Sequence, residues 1–169
     1  GVQGFMRVPM HMERMGVDLY ALSGHKIHGP KGIGVLAVRP GVRLIPQITG
    51  GGQEKGLRSG THNSPAILGL GEAVKTLAAD RKAVERMRAM KAHLWAVLSQ
   101  EGGIRLNGPK PGETDSAPHI LSLSFDGVRG EVMRNALEGE GVLVSTGSAC
   151  ASHKQKVSPT LRAMGLSQA

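Results

Sequence analysis

Residues 16–38, GVDLYALSGHKIHGPKGIGVLAV, decide how this 169-residue chain is read. Two short apolar runs, GVDLYALS and IGVLAV, have the length and the branched or aromatic content of strands. Between them SGHKIHGPKG is polar and rich in Gly and Pro, a composition that predicts a loop. Strand, loop and strand put Lys26 on a connection at a strand end, where α/β proteins place ligands. An amine that attacks carbonyls must shed its proton, and positive charge from Lys31 or a protonated His25 favours the free amine. Ser23, Gly24 and His25 add a hydroxyl, a flexible backbone and an imidazole, a set able to hold a phosphate. The same residues also suit an ordinary solvated turn.

Downstream, VRLIPQI is followed by GGGQEKGLRSGTHNSP, sixteen residues too rich in Gly, Ser, Thr and Asn for a regular element. Its backbone N–H groups, the Arg58 guanidinium and the Ser59 and Thr61 hydroxyls suit an anion, although a mobile loop has the same composition. It is not a nucleotide P-loop, because the preceding strand and the Lys-Ser/Thr ending are missing. From Ser64-Pro65 a helical pattern begins: Ile67, Leu68, Leu70, Ala73, Val74, Leu77, Val84, Met87, Met90, Leu94 and Val97 recur at three and four residues. A pattern this long predicts either one helix bridging two domains or two helices broken near Ala79-Asp80, and the domain boundary is placed there. The tail reads as a small α/β unit: EGGIRLNGP, an alternating strand HILSLSF, a helix GEVMRNALEGEG, a strand VLVSTG, a loop SACASHKQK and a helix start at Ser158-Pro159.

Cys150 is the sole cysteine, which excludes an intrachain disulfide and any multi-cysteine metal centre and suits a reducing cytosol. It stands among small residues, STGSACAS, with His153, Lys154 and Lys156 following; that setting favours an exposed thiol with thiolate character. Residue type alone favours a buried, inert cysteine. Arg162 follows the Ser158-Pro159 helix start and faces either a carboxylate or solvent. The histidines lack metal-ligand spacing, and no Ser-His-Asp or G-x-S-x-G pattern occurs. The formal net charge of +8 raises the possibility of an anionic partner, but the basic residues are scattered without interleaved aromatics, which number four among Phe, Trp and Tyr. Direct nucleic-acid binding is therefore not expected. No apolar run reaches the ~18–20 residues of a membrane span, and the opening residues lack the order of a signal peptide, so a cytoplasmic protein is expected.

Taken in order, DLYALSGHKIHGPKGIGVL, GGGQEKGLRSGT, PHILSLSF, VSTGSACAS and LRAMGL closely resemble the pyridoxal-phosphate-dependent cysteine desulfurases of aminotransferase class V. The resemblance runs along essentially the whole chain. It implies an α/β protein of aminotransferase fold type I: residues 1–80 as the C-terminal part of the large cofactor-binding domain, a mainly parallel sheet with helices, and residues 81–169 as a smaller α/β domain carrying the cysteine loop and incomplete at its C-terminus. It implies pyridoxal 5'-phosphate as cofactor, Lys26 as the amine that condenses with its aldehyde and later moves protons at the substrate α-carbon, and Ser23 and His25 on its phosphate. Thr61 would join them from the partner subunit of a homodimer, and Gln3 would contact the ring hydroxyl oxygen. Cys150 would take sulfur from L-cysteine as a persulfide, leaving L-alanine, and Arg162 would hold the substrate carboxylate. The sulfur would pass to an acceptor protein, an iron–sulfur scaffold or a tRNA- or cofactor-thiolating enzyme.

Two other readings fit less of the sequence: a selenocysteine lyase or another class V aminotransferase-like enzyme, and a non-catalytic sulfur carrier or interaction fragment with a basic docking face. The family's large domain begins well upstream of Gly1, with an aspartate for the pyridine nitrogen, a ring-stacking histidine and a further phosphate loop. Both ends read as cut from a longer chain, so turnover is expected of the longer polypeptide rather than of these residues alone.

Overall fold

The structure, a computed structural model, describes residues 1–114, 116–147 and 158–166. It is a mixed helix and strand chain that divides into two compact units, Gly1–Met87 and Arg88–Ala169.

In the first unit a short helix α1 (Met12–Met15) leads into β1 (Leu19–Ser23), and a 3-10 turn at Gly24–Ile27 precedes β2 (Gly34–Val38). The strands pair antiparallel, from Leu19 opposite Val38 to Ser23 opposite Gly34. The connection 24–33 is shorter than the dozen or so residues a parallel crossover takes, so the chain has to double back. A mainly parallel sheet was expected over residues 1–80; among the described residues the strands of this unit pair antiparallel, and parallel pairing is limited to one isolated bridge, Ile48 to Arg58. The hairpin is clamped at its open end, where Asp18 accepts the Arg39 amide at 2.9 Å and pairs with its guanidinium at 2.5 Å.

The long helical pattern resolves into two helices, α2 (Ser64–Ala79) and α3 (Ala83–Leu98), interrupted at Asp80. Asn63 starts α2 by accepting the Ala66 amide at 3.2 Å, with a proline in the first turn. Arg86 closes the break with two bonds to the Asp80 carboxylate, one of them 2.9 Å. The first unit's core is small: Tyr20, Ile27, Ala66 and Leu70 are buried. Ala66 and Leu70, four apart, share a helix face, and α2 comes so close to the loop that a Cβ on Gly69 would lie 2.7 Å from Pro30 Cγ.

The second unit contains the C-terminal part of α3, then β3 (Ile104–Leu106) antiparallel to β4 (Leu123–Phe125), α4 (Gly130–Gly139) and α5 (Pro159–Ala163). The strand expected from HILSLSF shortens to β4, because its partner offers only three residues for pairing. The strand expected at VLVSTG is not formed over the described residues 142–147. The Val142 amide instead returns to the Leu137 carbonyl at 2.8 Å, finishing α4, and Leu143 is 84% exposed. Apolar β-branched residues suit a pleated surface, but no neighbouring strand edge is supplied to them here.

Candidate functional site

The site is built at the end of β1. After Ser23 the chain tightens into the Gly24–Ile27 turn, which His28 ends with a left-handed φ of 64°. The Gly24 carbonyl accepts the Gly29 amide at 2.9 Å, and the Gly24 amide returns to the Ile33 carbonyl at 2.9 Å. Only glycine fits at 24, since a Cβ there would sit 2.7 Å from Ile33 Cγ2 and 3.0 Å from the Pro30 oxygen. Ile27, 1% exposed, anchors the turn in the core. The result is alternation over four residues, with Gly24 and Ile27 buried, His25 exposed and Lys26 half-buried between them.

The Ser23 hydroxyl and His25 Nδ1 lie 2.8 Å apart in a hydrogen bond, so this hydroxyl and imidazole form a joined polar rim immediately before Lys26. From a separate segment, Arg7 Nη2 donates to the Lys26 carbonyl at 2.7 Å, while Arg7 Nη1 is buried without a hydrogen-bond partner. The arginine belongs to a turn, residues 1–8, closed by bonds from the Gly4 and Phe5 amides to the Gly1 carbonyl. That carbonyl also accepts the Tyr20 hydroxyl, at 3.3 Å, tying the turn to β1. Gln3 lies exposed on this turn. A cavity of about 210 Å³ opens beside Arg7, Ile27 and His28, walled on its other side by Asp80 and α3. The Arg86 hydrogen bonds hold the Asp80 carboxyl below its ordinary range.

The glycine-rich loop folds on itself. Ser59, 4% exposed, accepts the Gly52 amide at 3.3 Å, its own amide reaches the Ile48 carbonyl at 3.1 Å, and Gln53 accepts the Gly60 amide at 3.0 Å. Arg58 spends one guanidinium nitrogen on the Ser59 carbonyl at 3.0 Å. Thr61 is left exposed just past the closure.

Arg162 belongs to the second unit, exposed on α5, whose first turn is capped by the Ser158 hydroxyl. Cys150 lies outside the described residues. The structure therefore brings Ser23, His25 and Lys26 together in one turn and ties the segment of Gln3 to it. Two groups make contacts that the residue pattern does not show. Arg7 was detectable only as the one charged side chain in residues 1–10. Lys91 looks like one basic residue among many, yet it donates to Ser116 Oγ at 2.6 Å and the Ala117 carbonyl at 2.8 Å, and burial pushes its amine below the ordinary range.

An aminotransferase class-V family model matches residues 1–167. The NifS/IcsS protein homolog of Lactobacillus delbrueckii subsp. bulgaricus is 44% identical over 149 residues, 88% of this chain and 38% of that protein. Cysteine desulfurase IscS of Escherichia coli is 42% identical over 168 residues, 97% of this chain and 40% of the relative. Among solved structures, SspA in complex with cysteine superposes with a TM-score of 0.69 at 31% identity, across 99% of this chain and 45% of that one. The chain thus spans about two fifths of the length of the curated relatives it matches. With the match running from the Gln3 turn through the Lys26 turn and beyond α5, the chain belongs to the aminotransferase class-V family.

Proposed function

We propose that the polypeptide carrying this sequence is a pyridoxal-phosphate-dependent cysteine desulfurase. The observation that carries the reading is the Ser23–His25 hydrogen bond, 2.8 Å, placed directly before a half-buried lysine on the Gly24–Ile27 turn. Hydroxyl, imidazole and primary amine are the donor set that a phosphate and an aldehyde on one small molecule require, so the residues fit the cofactor. Relatives named cysteine desulfurase and a structural neighbour described with cysteine support L-cysteine as substrate.

When bound, the cofactor supplies an electron sink for charge developing at the substrate α-carbon. In this reading Ser23 and His25 hold its phosphate, joined by Thr61 from the partner subunit of a homodimer, and Gln3 contacts the ring hydroxyl oxygen. Lys26 would hold the aldehyde carbon through its ε-nitrogen and would move a proton at the substrate α-carbon. Arg162 pairs with the substrate carboxylate. The Cys150 thiolate attacks the substrate sulfur, the carbon–sulfur bond breaks, and the carbon is protonated. Cysteine plus the Cys150 thiol thus becomes alanine plus a Cys150 persulfide, with no external oxidant or reductant. An acceptor protein serving iron–sulfur assembly or thiolation then removes the sulfane sulfur, in a cytoplasm reducing enough to keep the thiol free.

The test is alanine and sulfide production from L-cysteine by the native polypeptide and its variants. Lys26→Ala is expected to abolish both products. Cys150→Ser is expected to abolish sulfide release while cofactor binding survives. Sulfide release undiminished in Cys150→Ser would refute the persulfide assignment.

A further inference from the structure

We propose that Arg7 is a positioning residue for Lys26, holding in place the backbone from which the ε-amine extends; this rests on the reading of Lys26 as the cofactor lysine. Within the turn, the His28 and Gly29 amides both bond to the Gly24 carbonyl. The Lys26 carbonyl receives the Arg7 guanidinium instead, at 2.7 Å, a charge-assisted bond from a segment nineteen residues away. A cation gives up water reluctantly, yet Arg7 Nη1 is buried with no hydrogen-bond partner in exchange. What the guanidinium gains at this place is therefore the bond from Nη2.

Geometry gives that bond its consequence. Lys26 lies between two buried anchors, Gly24 and Ile27, but its own side chain is long and half-exposed. Packing fixes the turn at both ends, and Arg7 fixes it at the lysine itself. The turn of residues 1–8 that delivers Arg7 is bonded to β1 through Tyr20, so the brace and the strand that ends at Ser23 share one support. Loss of the brace lets the root of Lys26 move while Ser23 and His25 keep their bond. Amine and phosphate donors then lose their common frame, which is how a displacement remote from the reacting atoms lowers reactivity.

The test compares wild type with Arg7→Leu, which keeps bulk but cannot donate, and with Arg7→Gln, whose amide still can. Two readouts are taken on the native polypeptide. Without cofactor, amide hydrogen exchange at residues 26–29 is expected to be about tenfold faster in Arg7→Leu and nearer wild type in Arg7→Gln. With pyridoxal phosphate and borohydride, peptide mapping is expected to show Lys26 labelled about tenfold more slowly in Arg7→Leu, with Lys31 unaffected. Exchange and labelling in Arg7→Leu equal to wild type would overturn the proposal. If Arg7→Leu loses protection across β1 and α2 as well, it has unfolded, and Arg7→Gln carries the comparison: exchange and labelling near wild type support the brace, and values as impaired as in Arg7→Leu overturn it. Wild type that takes no label at Lys26 while the exchange contrast persists would remove the cofactor reading and leave Arg7 as the brace of the turn.

Discussion

The two glycine-rich connections of the first unit have similar composition and opposite construction. The Lys26 turn is held from outside, by Ile27 in the core, by α2 against Pro30 and by Arg7 on the lysine carbonyl. The 50–61 loop is held from inside, by Ser59, Gln53 and Arg58 bonding to the loop's own backbone. External anchors fix the backbone of Lys26 relative to the rest of the unit. Internal closure makes a compact loop that leaves Thr61 exposed. Glycine content alone does not distinguish these cases, whereas the burial of Ile27, the approach of α2 to Pro30 and the Arg7 bond to the Lys26 carbonyl do.

Substitutions can break this contrast in order of severity. Ile27→Ala removes the deepest anchor of the Lys26 turn and should cost about 2–5 kcal/mol in denaturant unfolding, with loss of cofactor binding. Gly24→Ala pushes a methyl group against Ile33 and Pro30 and should cost about 1–3 kcal/mol, again with impaired reaction at Lys26. Ser59→Ala leaves the Gly52 amide without its side-chain acceptor and should cost about 0.5–1.5 kcal/mol, while labelling of Lys26 by cofactor and borohydride stays at the wild-type level. If Ser59→Ala impaired Lys26 as much as Gly24→Ala does, the two connections would not be independent. The smallest effect belongs to Glu54→Gln, which removes the exposed Glu54–His62 pair, 3.0 Å. Denaturant unfolding should place this variant within about 0.5 kcal/mol of wild type, as for exposed pairs generally.

Much of this was legible in the sequence where local rules decide. The hairpin 19–38 and the start of α2 follow from residue pattern and from the caps at Asn63 and Pro65, and the break at Asp80 was one of two readings the helical pattern allowed. The conjunction of Ser23, His25 and Lys26 was legible because all three lie within four residues. The sequence misled where pairing depends on a partner. VLVSTG has strand composition but no edge to join over its described residues, and HILSLSF is trimmed to the length of β3. The bond Arg7 makes was not legible for a related reason: it reaches Lys26 across nineteen residues and follows no periodicity. The same holds for Lys91, whose contacts with Ser116 and Ala117 make it a half-buried brace within the second unit.

In the proposed function the turn 24–27 singles out one amine, Lys26, for covalent chemistry. The most direct measurement is borohydride trapping of the native polypeptide with pyridoxal phosphate, followed by peptide mapping of every labelled lysine. A single stoichiometric adduct on Lys26 is expected, with Lys31, five residues away on the same loop, unlabelled. Label distributed among Lys26, Lys31 and other exposed lysines in proportion to their accessibility would contradict it.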